Sequence, residues 1–253
     1  MRFYKAGVVA MLVLMGIYMN PAFAGQMGGL EPVNRTINFV DTMTTSEIQA
    51  EIDAVGKYIP YGVQIIFQFA DGEYTLTDSL VFAGFYGGGT LVIQGNTTET
   101  NATSLHTTQE VYLDGTSLDN HAIQVYGVKL ASVVLKNLKI GFKSASQYLG
   151  VYCQSVDYVK VLYCYLLGSG TSQGTGAYFW SSKGDIQYNY FSNSRNAIYS
   201  TFISEVFSYN NDDTGTMPAY GLIAENTSLI GKASTQPSGS SANEYSAYGG
   251  EIR

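Results

Sequence analysis

Three charged residues, Lys160, Asp185 and Glu205, occupy similar places, each just before the apolar residue of a short strand-like run. If these runs lie side by side in one sheet, the three side chains form an outward column. Carboxylates about 5 Å apart match the spacing used by retaining glycosidases, and their repulsion raises one pKa. Asp185 and Glu205 would alternatively hold Ca²⁺ beside Lys160 as the base of a lyase. A solvated charged face explains the same residues and is favoured, because charged side chains normally lie outside.

A second candidate site consists of tyrosines that recur once per strand-like run, at Tyr152, Tyr178 and Tyr199. Pointing outward from neighbouring strands, these phenols would form a platform for sugar rings, apolar on the face and polar at the edge. Arg195 lies close enough along the chain to pair with an acidic sugar. Cross-strand aromatic packing explains the tyrosines without any ligand, and among 21 tyrosines some columns arise by chance.

The elements that would position both sets are repeated strands in the second half of the chain. Residues 134–137, 161–164, 186–189 and 207–210 align with one another, and each is preceded by another short apolar run. Repeats of about 20 to 30 residues made only of strands indicate a β-solenoid, whose coils bury their apolar faces against each other. The sequence therefore predicts an all-β fold, a parallel β-helix. A sandwich of hairpins is the rival fold, but it does not explain the shared direction of the copies.

The same alignment predicts a column of buried asparagines at Asn137, Asn189 and Asn210, interrupted by Cys164. Stacked amides satisfy each other's hydrogen bonds and would form a ladder. The preference of Asn for turns is the simpler explanation. Export would permit one disulfide, but Cys153 and Cys164 are expected as two buried thiols because both lie in strand-like runs.

One segment ahead of the strands has the pattern of a helix. Thr44 and Glu47 have the spacing of a capping box, and Pro60 ends the apolar periodicity that follows. Residues 25–62 are therefore predicted to be an N-terminal segment that contains this helix. Residues 63–253 are predicted to be the β-helix, which we expect to continue beyond the last residue. The periodic apolar residues of the helix are Ile48, Ile52, Val55 and Ile59.

With this helix, the glycine-rich first strands and the strand repeats, residues 33–253 resemble the right-handed parallel β-helix proteins of the pectin-lyase-like superfamily. In that group a helix caps the N-terminal end of the coils, and the resemblance implies the same role here. The group includes pectate lyases, polygalacturonases, epimerases, phage tailspikes and bacterial adhesins, so the fold does not select an activity. Tailspike-like members often form trimers, which makes a homotrimer an implied assembly.

Most enzyme signatures of that group are missing. Of the polygalacturonase-like pattern only Asp212–Asp213 is present, no histidine follows His121, and Trp180 does not lie in a Trp-x-Asp-His pattern. We therefore expect a non-enzymatic scaffold, adhesin-like or tailspike-like, that binds a polysaccharide or surface glycan. The alternative is a polysaccharide lyase or glycoside hydrolase acting in a lateral groove. No cofactor is expected, apart from Ca²⁺ if Asp185 and Glu205 bind it.

Residues 1–24 have the pattern of a secretory signal peptide. Arg2 and Lys5 precede an apolar run, and Ala22-Phe23-Ala24 has the form of a cleavage site. The run is short for a membrane span, so we expect a secreted or cell-surface protein with no membrane span after cleavage. The formal net charge of −7 becomes more negative when the two basic residues are removed. Such a surface disfavours nucleic acid as a partner.

Overall fold

The computed structural model describes residues 33–95, 111–144, 148–213 and 215–253. The predicted signal peptide and the first residues of the predicted N-terminal segment, residues 1–32, lie outside these ranges. Within them, no helix has the length and apolar character needed to cross a membrane.

Parallel strands dominate the described part of the chain and stack into a β-solenoid of about eight turns. Strands that pair come from successive turns, so each sheet runs along the axis of the solenoid. The predicted all-β parallel β-helix is confirmed. The nine-stranded sheet contains β1 (Arg35–Phe39), β3 (Gln64–Phe69), β7 (Thr90–Gln94), β10 (Ser132–Lys136), β13 (Val159–Leu162), β16 (Lys183–Gln187), β19 (Glu205–Tyr209), β22 (Leu229–Ala233) and β24 (Glu251–Ile252); the six-stranded sheet contains β4 (Gly72–Thr75), β8 (Val111–Gly115), β11 (Lys139–Phe142), β14 (Tyr165–Gly168), β17 (Tyr190–Ser192) and β20 (Asp212–Asp213); the seven-stranded sheet contains β5 (Leu80–Ala83), β9 (Ile123–Tyr126), β12 (Leu149–Gln154), β15 (Thr175–Trp180), β18 (Asn196–Thr201), β21 (Tyr220–Glu225) and β23 (Ala242–Ala247); and β2 (Tyr58–Ile59) pairs with β6 (Tyr86–Gly87).

The predicted helix is present as α1 (Thr45–Ala54), with the expected capping box at its start. The Thr44 N–H donates to the Glu47 carboxylate at 2.7 Å, and the Glu47 N–H donates to the Thr44 hydroxyl at 3.3 Å. Two backbone donors of the first turn are thereby satisfied. Ile48 and Ile52 are buried in the core that the first strands share.

The helix ends earlier than the sequence predicts. Val55 already has an extended backbone, with φ −75° and ψ 132°, and Gly56, a poor helix former, follows it. Ile59 lies in β2, where pairing with β6 replaces the last predicted helical turn. Both Val55 and Ile59 are nevertheless buried, so the apolar pattern identified core residues although it gave the wrong helix end.

Residues in register form columns along the solenoid. Leu135 pairs with Val161 and Val161 with Ile186, and all three are fully buried. Neighbouring strands of a sheet lie about 4.8 Å apart. Outward side chains in register are therefore also brought close together, and this property positions the candidate site.

The asparagine ladder lies in the turn between the nine-stranded and six-stranded sheets, but its members differ from the prediction. The Asn189 Nδ2 donates to the Asn211 Oδ1 at 3.0 Å, and the Asn189 Oδ1 accepts the Cys164 N–H at 2.8 Å. Asn137 and Asn210 instead occupy the preceding turn position, where φ is positive, at 55° and 48°. Placing Asn210 in the ladder was wrong because a second asparagine follows it, and the coil spacing brings that second one into register.

Both cysteines are free and buried, as predicted. Burial raises the pKa of the Cys153 thiol, and it raises the pKa of Cys164 to about 12. Both side chains therefore pack as small apolar groups and stay protonated at neutral pH.

Candidate functional site

The three predicted tyrosines form one outward column on the seven-stranded sheet. Tyr152 is in register with Tyr178, and Tyr178 with Tyr199. The ring centroids are 5.7 Å apart in the first pair and 4.9 Å apart in the second, distances typical of favourable aromatic contacts. Val151 and Cys153, which flank Tyr152, are fully buried, so the tyrosines point away from the core. The register thus contains the predicted column, while its binding role stays a prediction.

The tyrosine column is the floor of a surface cleft of about 570 Å³, here called the aromatic cleft. The column continues through Ile223 to Tyr245, and Tyr220 and Trp180 also line the cleft. Trp180 is the single tryptophan of the chain, and its ring stacks on Phe202 with the centroids 4.2 Å apart. Aromatic faces therefore extend along the cleft well beyond the three predicted tyrosines.

Arg195, predicted to pair with an acidic sugar, lies at the aromatic cleft. Its guanidinium carbon is 5.9 Å from the centroid of the Tyr220 ring, close enough for a cation–π contact. Among the residues that the structure describes, no carboxylate lies within 4.0 Å of this guanidinium. Its positive charge is exposed and available to a ligand.

The acidic group of the aromatic cleft is Glu225, whose carboxylate accepts a hydrogen bond from the Tyr199 hydroxyl. Burial raises the pKa of Tyr199, and the hydrogen bond to Glu225 raises it further. Burial, together with Tyr152 and Glu225 nearby, raises the pKa of Tyr178 to about 12. Both phenols therefore stay protonated at neutral pH and keep polar O–H groups beside their ring faces.

Two further side chains of the aromatic cleft have hydrogen-bonding atoms that the described part of the chain leaves unused. The Nδ2 of buried Asn196 donates to the Thr175 hydroxyl at 2.9 Å, while its Oδ1 has no partner. The His121 ring packs 4.8 Å from the Tyr152 ring, and its Nδ1 has no partner either. Burial lowers the pKa of His121, so the imidazole is neutral at neutral pH.

Sequence reasoning did not assign Glu225, Asn196 or His121 to this site. The sequence offered one signal for two of them: Asn196 directly follows Arg195, and His121 directly precedes a strand-like run. The lengths of the turns bring them to the tyrosines, and those lengths differ from coil to coil.

The predicted catalytic column lies on a different face, that of the nine-stranded sheet, and it is only partly assembled. Lys160 is in register with Asp185, but Asp185 pairs with Phe207. Glu205 pairs with Lys183, and the two side chains form an ion pair at 2.7 Å. The predicted place of Glu205 beside Asp185 is wrong, because these coils are offset by two residues more than the sequence alignment assumed.

The rest of the predicted catalytic set makes local contacts. The Tyr158 hydroxyl donates to the Asp185 carboxylate at 2.6 Å, and the Lys160 ammonium lies 5.7 Å from the Tyr158 ring centroid. Asp185 and Glu205, the predicted Ca²⁺ ligands, occupy different columns. In the described ranges no group of three or more His, Cys, Asp or Glu side chains is arranged to hold a metal. Asp185 and Glu205 are therefore engaged in separate local contacts, with Tyr158 and with Lys183.

Comparison of the chain with protein-family models, with curated proteins and with solved structures found no match. The geometry of the aromatic cleft is therefore the basis for assigning a function.

Proposed function

We propose that this chain is a secreted or cell-surface β-helix scaffold that binds glycans in the aromatic cleft without changing them chemically. The observation that carries the proposal is the column of Tyr152, Tyr178 and Tyr199, with ring centroids 4.9 and 5.7 Å apart on the cleft floor. A row of ring faces with hydroxyl edges suits sugars, whose rings have apolar faces and polar rims. Export rests on the predicted signal peptide.

Polar groups around the aromatic floor support the same function. Arg195 and Glu225 supply opposite charges at the edge of this floor, and the Tyr199 hydroxyl is fixed by its hydrogen bond to Glu225. A few fixed polar groups around an aromatic surface are typical of small-molecule binding sites, where they set orientation and specificity. The net charge of −7 disfavours nucleic acid as the ligand.

Kinship with the pectin-lyase-like superfamily is part of this proposal, supported by the stacked parallel coils and the helix near the N-terminus. A homotrimer is proposed on that resemblance alone. The scaffold is preferred to a lyase or hydrolase because Lys160, Asp185 and Glu205 lie on the nine-stranded sheet outside the aromatic cleft, where Glu205 is paired with Lys183 rather than with Asp185.

The proposal is tested with protein lacking residues 1–24 on a panel of immobilised polysaccharides, with and without Ca²⁺. We expect retention on at least one glycan, with no new reducing ends and no absorbance from unsaturated uronates. Tyr178→Ala should weaken retention about three- to tenfold, since aromatic contacts of this kind contribute roughly 0.5–1.5 kcal/mol. Tyr209→Ala, a half-buried tyrosine on the nine-stranded sheet, is the matched control and should bind like the unchanged protein.

Two results would contradict the proposal. Product formation that disappears in Asp185→Ala would establish an enzyme that acts on the other face. Retention that Tyr178→Ala and Tyr209→Ala weaken equally would show that the aromatic cleft is not the binding site.

A further inference from the structure

A second cleft, of about 520 Å³, lies on the seven-stranded sheet at its N-terminal end, between α1, which packs against β5, and the neighbouring strand β9. Gln124 of β9 lines this cleft and is in register with Tyr152 of the aromatic cleft. Tyr126, two residues further along β9, is on the same outward face. The wall opposite the sheet is formed by three residues spaced four apart in the chain, Gln49, Asp53 and Lys57. We call this the helix cleft.

Hydrogen bonds hold the helix cleft in one arrangement. The Gln49 amide is fixed to β5, because its Nε2 donates to the Val81 carbonyl at 3.0 Å and its Oε1 accepts the Val81 N–H at 2.8 Å. The Gln124 Nε2 donates to the Ser79 hydroxyl at 2.9 Å and to the Asn120 Oδ1 at 3.3 Å. Side chains that are already fixed lose little conformational freedom when a ligand binds.

The same contacts leave polar atoms available. In the described part of the chain, the Gln124 Oε1 and the Asn120 Nδ2 have no hydrogen-bond partner. Neither atom is among the buried unsatisfied ones, so a ligand can reach both. The helix cleft therefore offers an amide acceptor and an amide donor side by side. Hydroxyl groups, which both donate and accept, match such a pair.

Exposed aromatic rings accompany these amides. Tyr126 lines the helix cleft with 43% of its surface exposed. Tyr58 and Tyr86 are 59% and 54% exposed, with ring centroids 5.4 Å apart. Both adjoin Lys57 of the cleft wall, because Tyr58 follows it in the chain and the Tyr86 N–H donates to its carbonyl at 2.9 Å. Grouped large side chains left in water mark interaction surfaces.

The charges of the helix cleft select against anions. Asp53 and Asp78 both line it, and Lys57 lies 3.8 Å from Asp53, which leaves one carboxylate in excess. The aromatic cleft differs because Arg195 there has no carboxylate partner among the described residues. The two clefts on this sheet therefore have different ligand chemistry.

We propose that the helix cleft is a second saccharide-binding site, selective for neutral sugars, that adjoins the aromatic cleft on the same sheet and uses its own contacts. Tyr126 supplies the stacking face, while Gln124 and Asn120 bind sugar hydroxyls through their unused amide atoms. Asp78 and Asp53 accept further hydroxyl hydrogens and repel acidic sugars.

Fluorescence separates the two sites, because Trp180 is the single tryptophan and lies in the aromatic cleft. A variant with Trp180→Phe and Tyr126→Trp moves the reporter into the helix cleft and keeps an aromatic face there. The probes are the neutral hexaoses of β-1,4-glucose, α-1,4-glucose and β-1,4-mannose, with trigalacturonate as the acidic comparison. We expect a saturable signal from at least one neutral hexaose and a much weaker response to trigalacturonate.

Substitutions in the reporter variant assign that signal. Gln124→Leu keeps the side-chain size but removes the amide, and it should weaken binding about fivefold or more, since lost hydrogen bonds cost roughly 1 kcal/mol each. Tyr209→Ala, on the nine-stranded sheet, should leave the affinity unchanged. Circular dichroism of each variant confirms that the coils are intact.

The inference is overturned if no neutral hexaose gives a saturable signal, if Gln124→Leu has no effect, or if Ca²⁺ alone produces the response. These outcomes leave the proposed function untouched, because Trp180 in the unchanged protein reports binding in the aromatic cleft separately. A Trp180 response without a helix-cleft response thus rejects this inference alone.

Discussion

Among single residues, Tyr199 combines two roles that substitution separates: its ring is part of the cleft floor and its hydroxyl donates to Glu225. Tyr199→Phe keeps the ring and should leave neutral-glycan affinity within about twofold. Tyr199→Ala removes the ring and should weaken binding about three- to tenfold. Affinity electrophoresis in a gel containing the retained polysaccharide measures both variants. Equal losses would show that the hydroxyl, rather than the ring face, makes the important contact.

The raised pKa of Tyr178 predicts how stability depends on pH. The phenol has a pKa of about 12 in the folded protein and about 10 in an unfolded chain. Above about pH 10 the unfolded state therefore releases its proton first, and the free energy of unfolding falls as pH rises toward 12. Urea unfolding across this range should show a smaller fall for Tyr178→Phe than for the unchanged protein. An identical fall in both would contradict the burial of this phenol.

At the scale of elements, the asparagine ladder holds consecutive turns together. Asn189 donates to the carbonyls of Val161 and Gln187 and to the Asn211 Oδ1, and it accepts the Cys164 N–H. Asn189→Ala leaves these buried partners unsatisfied and should lower the free energy of unfolding by about 2–4 kcal/mol. The change is measured as a shift of the urea midpoint at constant slope.

Asn210→Gly is the control for that prediction, because Asn210 lies in the corresponding turn of the next coil but outside the ladder. Its φ of 48° suits glycine, so the free energy of unfolding should change by no more than about 0.5 kcal/mol. Similar losses in the two variants would mean that the turn conformation, rather than the ladder, stabilises this edge of the solenoid.

For the whole molecule, the sequence predicted the coils and the tyrosine column because apolar alternation defines each strand and its outward face. The prediction failed where the exact number of residues in a coil had to be known in order to align one coil with the next. Two consecutive asparagines, Asn210 and Asn211, permit two alignments, and a slip in register reassigns every neighbour of a strand. Glu205 was misplaced beside Asp185 by the same uncertainty. The helix cleft could not be predicted, because it depends on where α1 rests against the sheet.

The central claim is that glycans bind in the aromatic cleft, and Trp180 fluorescence tests it most directly. The retained polysaccharide is titrated into the unchanged protein, into Tyr178→Ala and into Tyr209→Ala. We predict a saturable change in the unchanged protein and in Tyr209→Ala, and a weaker response in Tyr178→Ala. A polysaccharide that is retained while Trp180 fluorescence stays constant would contradict this assignment, because the ligand would then be bound elsewhere on the solenoid.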